Sequence, residues 1–241
     1  MWIGGGAAVF LVAVALGTLV LFRDSATPVS REEAAFGPGS TGEEWEKGDL
    51  YLYDTVGFET ASALGGSRHD YPAETFLVVR PQGCGTVHRW QSLAERWEEH
   101  LVCDDGRLES ITSFHRWFGI DDTSVYRCDE DARVLPAGGE TSWSFSCHNG
   151  EVTSVAWHYE VVGFEMLEVG GEQVEVLHLV ATEEPSGTTI GTGAHRRWVT
   201  TDPYLVVRAE VEVTNTTSTR IGGVDYSEQY TVMLSSMTPL G

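Results

Sequence analysis

From residue 50 onward the chain is written in short runs that alternate apolar and polar residues. Examples are "LYLYDTV", "ETFLVVR", "SWSFSC", "QVEVLHLVAT", "YLVVRAEVEVT" and "SEQYTVMLSS". A period of two sends successive side chains to opposite faces, so each run is a strand with one face to bury. The runs are rich in Val, Thr, Trp, Tyr and Phe and are separated by Gly, Asp and Pro clusters, the punctuation of antiparallel hairpins. Few segments hold a helical spacing for more than two turns. The expected fold is mainly β: one antiparallel, curved sheet forming an open barrel or half barrel, with 41% hydrophobic residues to fill it.

Residues 2–22, "WIGGGAAVFLVAVALGTLVLF", carry no charge. A hydrocarbon core needs about 20 helical residues, so this run is long enough to span one. A removable signal peptide has a shorter apolar region, of roughly 7 to 15 residues, and small residues before its cleavage site. Here the exit reads "RDSA", with Asp24 in the way. The reading is an N-terminal transmembrane helix, a signal anchor over residues 1–22. Arg23 favours the opposite orientation, since positive residues prefer the cytoplasmic side, but the cysteines below outweigh one charge. Residues 23–49 are Pro, Gly, Ser and acidic, a composition that buries little and predicts a flexible acidic linker. Residues 50–241 then form the domain outside the cytoplasm. The formal net charge of −21 argues against nucleic acid as a partner.

Four cysteines, Cys84, Cys103, Cys128 and Cys147, lie in that domain. An even number behind a membrane-crossing run points to disulfides in an oxidising compartment. If "GCGTVHRWQSLAERWEEHLVC" is a hairpin turning at residues 92–95, Cys84 faces Cys103, and the same register pairs Thr86 with Leu101, His88 with Glu99, Arg89 with Glu98 and Trp90 with Trp97. Opposite charges and paired rings across strands are favourable, which supports the alignment. Cys128 and Cys147 flank "PAGG" at 136–139 in the same way. The expected hairpin disulfides are therefore Cys84 with Cys103 and Cys128 with Cys147. A rival reading turns "SLAERWEEH" into a short helix, since Ser92 and Glu95 fit a capping box. The next turn, Asp105–Gly106, is a strong hairpin signal and continues the meander by pairing Glu99 with Thr112 and Trp97 with Phe114.

This register places His88, Glu99, Trp90, Trp97 and Phe114 on one apolar face, the candidate lining of a ligand cavity. It sends His115 to the opposite, wetter face, so the "HRW" repeats at residues 88 and 115 do not converge on a metal. The eight histidines show no close ligand spacing, and neither a metal nor a cofactor is expected. Nor is there a nucleophile elbow or a Gly-rich phosphate loop. A buried imidazole beside a carboxylate can still work as acid or base near neutral pH, so a hydrolase-like enzyme using His88 and Glu99 stands as an alternative.

The stretches "PAETFLVVRPQGCG", "SFHRWFGIDDTSVYRC", "SWSFSC" and "VVGFEMLEVGGEQVEVLHL" resemble a group of membrane-anchored actinobacterial proteins of unknown function. In its C-terminal part the chain is also similar to lipoprotein-carrier-like periplasmic β proteins, through "GGEQVEVLHL" and "HRRWVTTDPYLVVRAEVE". The second resemblance implies a curved antiparallel sheet able to hold acyl chains. The resulting expectation is a non-enzymatic, single-pass module of the cell envelope, tied to the membrane by its N-terminal helix, that binds an apolar or lipid-like ligand or an envelope partner protein. A purely structural or sensory ectodomain is the remaining alternative.

Overall fold

The computed structural model describes residues 24–36, 48–150, 152–219 and 222–240. The anchor expected over residues 2–22 lies outside them. Among the described residues no helix is long and apolar enough to cross a membrane.

Among the described residues, thirteen strands form one antiparallel sheet: β1 (Asp49–Ala61), β2 (Ser67–Asp70), β3 (Glu74–Gln82), β4 (Gly85–Leu93), β5 (Arg96–Cys103), β6 (Leu108–Trp117), β7 (Ile120–Cys128), β8 (Ser142–Asn149), β9 (Thr153–Val169), β10 (Glu172–Gly187), β11 (Thr189–Thr201), β12 (Tyr204–Thr219) and β13 (Gly222–Leu234). From β3 onward each strand pairs with its sequence neighbour, and β13 returns to β1, from Tyr53 opposite Leu234 to Ala61 opposite Tyr226. The far edge of β1 is shared, with β3 along its first half and β2 along its second. The sheet is thus closed, where the sequence suggested an open or half barrel. Closure pairs most of the strand edges that an open sheet of this size exposes, leaving short ones such as β2 and the part of β9 beyond Glu160.

The turns follow from local chemistry. Asp105–Gly106 closes the β5–β6 hairpin, with Gly106 at φ +80°. Gly170 and Gly171 both adopt positive φ at the β9–β10 turn, where two such residues match the twist of the flanking strands. The segment "IGTGA", which resembles a turn, instead lies inside β11. Both expected disulfides are present. The β7–β8 ladder is the thinnest seam, with Arg127 opposite His148 and Cys128 opposite Cys147, and the second disulfide crosses it.

The lumen has two ends. At the end holding the β5–β6 turn, residues 129–141 fold inward. Ala132 and Val134 are fully buried there beside Val102, Leu108, Phe145, Leu177, Leu179 and Val199. The rim at the opposite end carries the β4–β5, β6–β7, β8–β9 and β10–β11 turns.

Composition predicts a flexible linker over residues 23–49, yet residues 24–36 dock on this rim and on the adjoining outer face. Glu95 in the β4–β5 turn accepts hydrogen bonds from Ser25 Oγ, Thr27 N and Thr27 Oγ1 at 2.8–3.0 Å, and Ala94 N donates to Thr27 O. The chain then enters a one-and-a-half-turn helix, α1 (Arg31–Phe36), whose Ser30 and Glu33 cap each other reciprocally. Ala34 packs on Leu50, Phe76 and Val78 on the outer face of the barrel. Composition averages over residues, whereas docking here depends on a few specific acceptors. Residues 37–47 of the expected linker lie outside the described residues.

Candidate ligand site in the barrel lumen

The β4–β5 register differs by one residue from the one read off the cysteines. Gly85, not Cys84, pairs with Cys103, so His88 faces His100, Trp90 faces Glu98 and Gln91 faces Trp97. Gly85 explains the slip: a Cβ there would lie 2.2 Å from Val102 O and 2.6 Å from Cys103 Cα, so only glycine can take that position. The disulfide then runs diagonally from Cys84. The β5–β6 register, with Glu99 opposite Thr112 and Trp97 opposite Phe114, agrees with the expectation.

A one-residue slip exchanges the two faces of a strand relative to its neighbour. Of the five expected cavity residues, only His88 and Trp90 therefore point into the lumen, where they line a space of about 70 Å³ with His100 and Tyr230. Glu99, Trp97 and Phe114 share the outer face. There Trp97 stacks on Phe114 and lies beneath the Arg89 guanidinium, and Arg89 pairs with Glu99 at 3.6 Å. The proposed His88 and Glu99 acid–base pair does not form. His88 instead bonds Thr86 Oγ1 and meets the edge of Tyr204. Burial, assisted by His100, pushes its imidazole down to about 4. His115, expected on the opposite face, points inward as well.

The lumen near the rim is charged. Arg96 on β5 reaches across to Glu228 on β13, bonding both carboxylate oxygens at 3.2 Å, and binds Glu98 at 3.1 Å. Tyr71 donates its hydroxyl to Glu228 as well. On β1, Glu59 is fully buried and accepts from His69 at 2.9 Å and from His115 and Tyr226 at 3.1 Å. Burial pushes this carboxyl up, but the two imidazole hydrogen bonds and the nearby Arg96 charge outweigh it and hold it at about 2. The other nitrogen of His69 faces Asp24 at 2.9 Å, and the ring stacks on Trp117. With a carboxylate at each nitrogen, His69 donates twice and is raised above its ordinary value, although burial alone would lower it. Asp24 also accepts from Phe118 N at 2.8 Å, so the start of the described chain is clasped to the rim.

Sequence reasoning missed Glu59, Arg96, Glu183, His195 and Glu228. The available signal was alternation. Glu59 lies in register with Tyr53 and Thr55 along β1, and Glu228 with Tyr230 and Val232 along β13, so each carboxylate falls on a buried face. Apart from His69, ten residues from Glu59, their partners are far away in sequence.

Beside this network is a cavity of about 130 Å³, lined among others by Tyr126, Trp157, Glu183, His195, Asn215 and Tyr226. A broad open groove of about 900 Å³ on the rim shares Asn215 and Tyr226 with it. Buried polar groups normally have partners, yet among the described residues His195 Nδ1 and Nε2, Trp157 Nε1 and Asn215 Oδ1 have none. His195 is 6% exposed and Trp157 is likewise 6% exposed. Three side chains with unspent hydrogen-bonding capacity thus meet at one small space that communicates with the rim.

No family model matches this chain, and no curated relative matches it. Among solved structures it is similar to a hypothetical lipoprotein, YmcC, from Escherichia coli, at 12% identity over 73% of this chain and 85% of that one, with a TM-score of 0.29. It is also similar to a protein of unknown function from Bacteroides ovatus, at 10% identity over 88% of this chain and 52% of that one, with a TM-score of 0.23.

Proposed function

We propose that this protein is a non-enzymatic binding module of the cell envelope, held to the membrane through residues 2–22, whose barrel takes a small polar ligand through the rim at Asn215 and Tyr226. The observation that carries the reading is the convergence on the 130 Å³ cavity of His195, Trp157 and Asn215, each with a buried polar atom that has no hydrogen-bond partner among the described residues. Paired cysteines favour an oxidising compartment. Asp24 sits on the rim only two residues beyond the apolar run, so an anchor ending at residue 22 would keep the mouth of the barrel close to the bilayer.

The size and chemistry of the lumen favour a polar occupant over the lipid-like one expected from sequence. Drug-sized ligands occupy roughly 300 to 1,000 Å³ of mostly apolar space. Here both lumen spaces are smaller, and Arg96, Glu98, Glu183 and Glu228 line the larger. The test is to denature full-length protein purified from its own membranes and analyse the released small molecules by mass spectrometry. A polar molecule carried by the wild type and missing from His195→Ala is expected; stoichiometric acyl lipid would overturn the reading.

A second reading, docking of an envelope partner, is favoured by β9. Beyond Glu160 this strand has no β8 residue opposite it, and Val162, Phe164 and Met166 are 57%, 65% and 55% exposed along that stretch. An unpaired edge with apolar side chains can accept an added strand.

A further inference from the structure

We propose that the lumen site takes a small organic ammonium ion, recognised by Glu183 and His195 against the face of Trp157. The proposal rests on the lumen being a ligand site and names the chemistry of its occupant.

Among the described residues, Glu183 is the lumen carboxylate that no side-chain donor hydrogen-bonds. Glu59 is satisfied by His69, His115 and Tyr226. Glu98 is held by His100 and Arg96, and Glu228 by Arg96 and Tyr71. Of the lumen guanidiniums among the described residues, Arg96 is held as above, and Arg197 bonds the Tyr159 hydroxyl at 3.2 Å and lies over one part of the Trp157 ring at 5.8 Å, within the field of Glu98. Glu183 has no guanidinium and no hydroxyl donor among the described residues. His195 Nε2 is 3.5 Å away and not hydrogen-bonded. The Glu183 side chain is 14% exposed and its contact with His195 is too long for a hydrogen bond, so a donor cation seated between the two gains a charged hydrogen bond.

The surroundings are shaped for Glu183. Gly193 lies directly opposite it on β11 and Trp157 on β9. A Cβ on Gly193 would sit 2.6 Å from Glu183 Cγ, so glycine is what allows the carboxylate to lie flat at the cavity wall. Trp157 and Tyr126 supply aromatic walls, the surfaces that attract cations. An ammonium group can donate one hydrogen to Glu183 and another to an unprotonated nitrogen of His195 while its alkyl part faces the rings. Glu183 and His195 offer two ligand atoms, and no third metal-binding side chain joins them among the described residues. Transition-metal sites use three or four protein ligands, so a hydrogen-bonding cation suits the pair better. The 130 Å³ volume restricts the occupant to a few non-hydrogen atoms.

The test titrates full-length protein in detergent with methylammonium and ethanolamine, using acetate and glycerol as controls, by calorimetry together with NMR of ¹⁵N-labelled histidine and tryptophan. Saturable amine binding that moves His195 and Trp157 is expected. Glu183→Gln should weaken it by about tenfold or more, the loss of one charged hydrogen bond, with circular dichroism unchanged and the melting temperature no lower. Gly193→Ala should weaken it by displacing Glu183. If acetate or glycerol saturates the site while the amines do not, or if Glu183→Gln binds amines as wild type does, the ammonium assignment falls and the lumen site stands. If none of the four moves His195 or Trp157, both fall.

Discussion

At the end of the barrel stoppered by residues 129–141, the inward positions are Phe145, Leu177, Leu179 and Val199; toward the rim, inward positions of the same sheet are Glu59, Arg96, Glu183 and Glu228. Apart from Glu183, whose side chain is 14% exposed, both sets are buried, and both arise from the same two-residue alternation. The apolar end gains stability for each area it removes from water. The charged end must recover the desolvation of several ions through mutual attraction and hydrogen bonds, which often no more than breaks even against an apolar filling. The first region explains why the barrel is stable. The second is better explained by what its groups can bind.

The sharpest way to break this contrast is to unbalance the charged end. Arg96→Met leaves Glu228 and Glu98 without their guanidinium and should cost about 3–5 kcal/mol in urea unfolding, the usual penalty for stranding a buried charge. Adding Glu228→Leu should recover much of it. If the double variant is no more stable than Arg96→Met, the two side chains are not coupled across the lumen. At the apolar end, Leu179→Ala should cost about 2–5 kcal/mol through lost burial and a cavity. It should leave the rim cavity and its ligand affinity untouched, and a matching loss of binding would show that the two ends are one unit.

The closing of the sheet and the placement of the charges were legible to different degrees. Alternation and turn chemistry disclosed the strands, and cysteine spacing disclosed both disulfides. The β4–β5 register was misread because a diagonal disulfide and a directly opposed one have the same sequence spacing; the close approach at Gly85 decides between them and is visible only in three dimensions. That single residue moved Glu99, Trp97 and Phe114 outside and brought His115 in. Closure through β1 and β13 joins Glu59 to Tyr226 across 167 positions of sequence, a pairing to which no local pattern points.

The pH dependence separates the regions further. His88 titrates at about 4 when folded, below its ordinary 6.5, so the unfolded chain binds the proton first and stability falls as pH drops from 6.5 toward 4. Glu59, held at about 2 against an ordinary 4.5, removes further stability between pH 4.5 and 2. His69 is raised, so its contribution is complete below 6.5 and is lost as pH rises through its folded value. His88→Phe should flatten the first of these limbs in thermal melts, and Glu59→Gln the second; an unchanged acid limb in His88→Phe would refute its assignment. The smallest effect is expected outside the barrel, where Arg116 pairs with Asp121 at side-chain exposures of 41% and 54%. Asp121→Asn should leave the melting temperature essentially unchanged, since solvent screens an exposed pair.

The most direct measurement of the central claim is the NMR response of ¹⁵N-labelled histidine and tryptophan in the full-length protein as methylammonium is added. The account predicts saturable shifts at His195 and Trp157, with Trp97 on the outer face unmoved. No shift at His195 and Trp157, or equal shifts at Trp97, would contradict it.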